Sequence, residues 1–142
     1  FTSIFLHGSW MHVGMNALML VAIGSGAEKS LGTKKYLLVF FGSSFIALLT
    51  HLAFSPTSDM PVIGASGGVS GLFGAMIYAM EAGENPGINP NMIPVILLWV
   101  GISVLFGLMG APDGSNIAWT AHIGGFLGGI GIAAYLFKKQ HR

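Results

Sequence analysis

The sequence contains no cysteine, and only 8% of its 142 residues carry a charge, six of them Lys or Arg and five Asp or Glu. Without cysteine there is no disulfide framework and no thiolate metal site, and the redox compartment cannot be read. The scarcity of charge excludes more. A soluble domain carries roughly a quarter charged residues, so this chain cannot cover a water-facing surface. No charged n-region precedes a cleavable apolar run at Phe1, so no signal peptide is expected, and the chain reads as a trimmed domain. No internal repeat or low-complexity tract suggests a second unit.

What is present is apolar: 53% of the residues are hydrophobic and the mean hydropathy is +0.74. The apolar residues fall in runs at about 10–27, 36–54, 62–80, 92–110 and 117–137, each close to the ~20 residues a spanning helix needs. The expected fold is all-α, a polytopic transmembrane bundle with five spans in one membrane domain over residues 1–142.

Charge placement predicts the orientation. Lys29, Lys34 and Lys35 lie between the first two runs, and Lys138, Lys139 and Arg142 follow the fifth. The connections at 55–61 and 111–116 carry Asp59 and Asp113 and no basic residue. An odd number of spans puts both basic clusters on one side, which the positive-inside rule makes cytoplasmic. Glu81 and Glu84 in the remaining inner loop weigh little in that rule. Spans one, three and five then run from outside to inside, and the C-terminus is cytoplasmic.

The unusual polar residues now fall at one depth. His12 and Asn16 occupy the first turns of span one, Ser66 opens span three, and His122 lies early in span five. A lone serine among glycines usually serves helix contact, and a lone membrane histidine usually serves a cross-helix hydrogen bond. Their joint placement at the outer ends of parallel helices favours a nucleophile and its base. Ser66, Ser70 and Gly74 share one helix face, as do His122, Gly125 and Gly129. Two small-residue faces permit a close approach that would bring the imidazole to the hydroxyl, and a serine hydroxyl is weak until a base takes its proton. Gly64 and Gly67 are expected to let backbone approach a substrate carbonyl. The first N–H groups of a helix at Ser66 lack helical partners, and His12 and Asn16, spaced i, i+4, can both donate. These are the groups an oxyanion would need. Asp113 is too remote in sequence to be assigned as a third member. His7 and Trp10 are expected at the interface, with His7 solvated.

The run Gly64-Ala65-Ser66-Gly67-Gly68 satisfies G-x-S-x-G, but that pattern has meaning only at the strand-to-helix turn of a soluble sheet, and no such strand precedes it. His7, His12 and His122 have no cysteine or carboxylate at ligand spacing beside them, so no metal is expected. A transporter would call for mid-span ionisable residues; beyond those named, His51 near the outer end of span two is the remaining membrane histidine.

Taken together these residues resemble the rhomboid family of intramembrane serine proteases. His7 to Asn16 resembles the family's H-x-x-x-N motif with its preceding histidine. Gly24, Glu28 and Gly32 match G-x-x-x-E-x-x-x-G, Gly64-Ala65-Ser66-Gly67 matches G-x-S-G, and Ala121-His122 with Gly125 and Gly129 matches A-H-x-x-G-x-x-x-G. The resemblance implies Ser66 as nucleophile and His122 as general base without a third acid. It implies His12, Asn16 and the Ser66 N–H as the oxyanion hole, and Glu28 as a structural tie in the first inner loop. It further implies transmembrane protein substrates, a lipid bilayer as surroundings, and no cofactor, metal or nucleic acid; the expected setting is the cell (inner) membrane with the site opening to the outer face. Two departures stand out. The family core has six spans, of which the first is absent from this chain, and the position one turn after the nucleophile, often aromatic in the family, is Ser70. The alternative expectation is a catalytically silent membrane binding protein of the same fold.

Overall fold

The computed structural model describes residues 2–57, 59, 61–81, 90–110 and 118–140. A 3-10 turn at Thr2–Phe5 is followed by helices α1 (Trp10–Leu31), α2 (Thr33–Phe54), α3 (Ser66–Glu81), α4 (Met92–Met109) and α5 (Trp119–Gln140). No strand occurs among the described residues. The fold is an all-helical bundle, and α1, α2, α4 and α5 are each long and apolar enough to cross a membrane. Asp113 lies outside the described residues.

Local chemistry sets the helix ends. Ser9 caps α1, its hydroxyl accepting from the His12 N–H at 3.1 Å. Gly32 ends α1 with φ of 76°, its N–H donating to Glu28 O at 2.8 Å, and α2 begins at the next residue. A side chain there would be strained, so glycine permits the reversal. The Thr33 hydroxyl donates to Glu28 Oε1 at 2.8 Å, across the same turn.

Helix α3 departs from expectation. It starts at Ser66 rather than near residue 62, because Gly64 takes φ of 97°, outside helical backbone. Its 16 residues rise only about 24 Å, short of the ~30 Å hydrocarbon core.

The core lies where α3 meets α2 and α5. Leu72, Tyr78, Val39 and Phe126 are among its fully buried side chains. Backbones approach closely along this seam. A Cβ on Gly125 would fall on the Gly67 carbonyl oxygen, one on Gly129 on that of Gly71, and one on Gly74 on that of Phe126. Between helices in lipid the hydrophobic effect gives little net attraction, and dispersion across such contacts takes its place. The seam on α3 is therefore Gly67, Gly71 and Gly74. Gly74 belongs to the expected Ser66–Ser70–Gly74 face, and Gly67 and Gly71 join it because α3 serves α2 as well. Gly67 and Gly71 also meet Ala47 and Ser43 of α2, and Ser70 turns instead towards a cavity.

Candidate active site

The N-terminal ends of α1, α3 and α5 converge on one cavity of about 420 Å³. Its lining includes His12 and Asn16 from α1, Gly64, Ser66, Gly67 and Ser70 from the start of α3, and His122 from α5. Apolar walls come from Met11 and Met15 of α1 and from Ile102 and Phe106 of α4.

Ser66 is the first residue of α3, and its Oγ lies 2.9 Å from His122 Nε2. That distance is a full hydrogen bond, made between residues 56 apart in sequence. The close α3–α5 backbone contact one turn below permits it. In α3 the Val69 N–H donates to Ala65 O at 3.0 Å. The N–H groups of Ser66, Gly67 and Gly68 stand ahead of that first helical bond, at the positive end of the helix.

His12 and Asn16 sit over the same turn. A Cβ on Gly64 would lie 2.7 Å from His12 Nε2 and 3.3 Å from Asn16 Nδ2, so these two donors crowd the backbone just before Ser66. Only glycine fits, on both backbone and steric grounds. The Gly8 N–H donates to His12 Nδ1 at 3.4 Å, which in a neutral ring leaves the proton on Nε2, facing Gly64. Asn16 is 8% exposed, and its Nδ2 donates to His12 O at 3.0 Å, which holds the amide in place.

Two contacts here had no signal in the sequence pattern. The Gly64 N–H donates to Ser3 O at 2.9 Å, so the 3-10 turn straps the loop before Ser66, with Ile4 buried beneath it. A terminal tetrapeptide outside every apolar run offers no periodicity to read. The second is His7, expected as solvated. Its ring stands edge-on to His12 with centroids 4.9 Å apart, and its Nε2 is buried.

Of the remaining motif residues, Glu28 and Gly32 lie together at the α1–α2 turn at the far end of α1 from the cavity. Gly125 and Gly129 form the seam with α3. Ser70 is 2% exposed and lines the same cavity. Among the described residues, no three His, Cys, Asp or Glu side chains are grouped as a metal site would require.

Long apolar helices define a multi-pass integral membrane protein, with a part-buried serine–histidine pair at a largely apolar cavity between their ends. Residues 1–139 match the family model described as the rhomboid domain, and the chain belongs to the rhomboid family. It is 32% identical to the rhomboid protease GluP of Bacillus subtilis over 138 residues, which cover 95% of this chain and 25% of that protein. It is 29% identical to the putative rhomboid protease YdcA of the same organism over 141 residues, covering 99% of this chain and 68% of YdcA. It is 34% identical to RHOMBOID-like protein 4 of Arabidopsis thaliana over 141 residues, 96% of this chain and 33% of that protein. The chain thus spans a quarter of GluP and a third of the plant protein. No solved structure matches it.

Proposed function

We propose that this chain is a serine endopeptidase that hydrolyses peptide bonds in or near transmembrane segments of membrane-protein substrates. The observation that carries the reading is the 2.9 Å hydrogen bond between Ser66 Oγ and His122 Nε2 at the edge of the cavity. His122 Nε2 takes the Ser66 proton as Oγ attacks the scissile carbonyl carbon. The carbonyl oxygen becomes an oxyanion, stabilised by the Ser66 N–H, His12 Nε2–H and the Asn16 amide. Collapse expels the amine, which receives the proton from His122 and leaves an ester on Ser66. Water then attacks the ester carbonyl, giving a proton to His122 Nε2. The second collapse returns that proton to Ser66 Oγ and frees the acid product. A positioned base and preformed donors together supply most of such a rate enhancement.

The reading places the site towards the outer face, with the C-terminus in the cytoplasm, on the strength of the two basic clusters. With the inner end of a ~24 Å helix at one interface, Ser66 stands below the opposite one. Water then reaches it through the cavity, while Met11, Met15, Ile102 and Phe106 offer an apolar wall to an incoming segment.

The test is labelling by a fluorophosphonate, with cleavage of a single-span substrate in liposomes as the second readout. Wild type is expected to be labelled and to cleave, and Ser66→Ala and His122→Ala to do neither, a loss of at least ~10³-fold. Equal labelling of all three would reject the dyad. Labelling without cleavage of any membrane substrate would leave a serine-reactive binding protein.

A further inference from the structure

His51 is a buried histidine that the proposed chemistry does not use. It stands in the last turn of α2, 5% exposed, with Nδ1 2.9 Å from Thr120 Oγ1. Thr120 is the second residue of α5 and 6% exposed, and His122 follows two positions later. The other ring nitrogen, His51 Nε2, is buried with no hydrogen-bond partner among the described residues. An unpaired buried nitrogen costs stability whichever tautomer the ring adopts. A leucine of similar size would carry no such cost, so packing does not account for the histidine.

The position of the bond does. His122 is the fourth residue of α5, so its ring is carried on the outermost turn, where helices fray first. In that turn the N–H groups of Ala121 and His122 share one acceptor, Ala118 O, at 2.9 and 3.3 Å. Deeper along α5 the helix is held by Gly124 against Thr50 of α2 and by Gly125 against the Gly67 carbonyl. Those contacts all lie after His122. The Thr120–His51 bond lies before it, so the two sets bracket the imidazole.

We propose that His51 is a positioning residue: through Thr120 it holds the first turn of α5 on α2 in the register that keeps His122 Nε2 on Ser66 Oγ. The proposal rests on the Ser66–His122 reading of the site. It assigns the unpaired nitrogen as a cost in stability that is retained for alignment.

The experiment compares wild type, His51→Leu, His51→Asn, Thr120→Val and the Leu/Val double variant of this chain in liposomes. The readouts are the rate of fluorophosphonate labelling, the unfolding temperature and the imidazole ¹⁵N NMR signals of His122. His51→Leu is expected to label about 10–100-fold more slowly, the penalty of misplacing a reacting group by about an ångström, and the Leu/Val double variant, which removes both polar partners, is expected to unfold at or above the wild-type temperature. Asparagine carries a polar atom where Nδ1 sits and is expected to recover most of the rate. Thr120→Val is expected to match His51→Leu, and the double variant to be no slower than either, as one shared interaction requires. Equal labelling of wild type and His51→Leu overturns the proposal. So does a loss that follows the unfolding temperature and that asparagine does not repair. If wild type itself is not labelled, the nucleophile reading fails separately. The NMR then decides the alignment alone: an unchanged His122 signal in His51→Leu overturns it, and loss of the Ser66-bonded signal supports it.

Discussion

Ten of the 16 residues of α3 are buried, against two of the 18 in α4, although α4 is the more apolar helix. In water the more apolar helix would be the interior one. In lipid the order reverses, because burial against protein is selected by close fit and not by hydrophobicity. Helix α3 presents Gly67, Gly68, Gly71 and Gly74 to its neighbours, and backbone meets backbone. Helix α4 presents Leu97, Leu98, Leu105 and Leu108 to its surroundings. It is tied to the bundle by a small aromatic group, with Trp99 4.8 Å from Phe73 and 5.8 Å from Phe126 between ring centroids. The serine–histidine pair sits on the rigid side of this division and the apolar cavity wall on the looser one. A site needing sub-ångström alignment is placed where the backbone is over-determined.

Glycine substitutions break this comparison most directly, since a side chain added in place of glycine meets opposite surroundings on the two helices. The largest effect is expected at Gly129→Leu, whose Cβ would fall on the Gly71 carbonyl oxygen. Backbone on both sides leaves no flexible group to give way. Destabilisation above about 4 kcal/mol is expected, seen as loss of the cooperative unfolding transition together with Ser66 labelling. A folded, fully labelled variant would show that the seam is not rigid. Gly64→Ala comes next. With φ of 97° and His12 Nε2 at 2.7 Å from the new Cβ, a cost of about 1–3 kcal/mol is expected. Labelling should fall more than stability does, because the strain is relieved by displacing a proposed oxyanion donor. The smallest effect is expected at Gly101→Ala in α4, where a Cβ meets nothing within 4 Å. Alanine there should be neutral or stabilising by about 0.5–1 kcal/mol, with labelling unchanged. A loss at Gly101 as large as at Gly129 would mean that α4 packs against a surface not seen in this chain.

Much of this was legible beforehand, and the reason is physical. A hydrocarbon environment demands long apolar runs separated by short polar connections, so the helix order and the grouping of His12, Asn16, Ser66 and His122 at matching helix ends follow from counting. What counting missed has an equally definite cause. Apolarity continues from Val62 to Ile63 although helical backbone does not, so the start of α3 was set four residues early. Gly67 and Gly71 fall outside the Ser66–Ser70–Gly74 face because periodicity describes one face, whereas α3 packs on α2 and α5 at once. His7 was assigned to solvent from its place before α1, but the turn at Gly8 and Ser9 folds its ring back onto His12.

Composition and motif spacing alone therefore determined a helical membrane protein of the rhomboid family and which residue types stand near its helix ends. These are properties of segments, set by the solvent and by each helix's own period. Only the tertiary structure decided that Ser66 Oγ and His122 Nε2 lie 2.9 Å apart, that Ser3 O anchors Gly64, and that His51 reaches Thr120. Those distances depend on how far one backbone can approach another. That limit is set by all three helices of the seam together and is not encoded in any one of them.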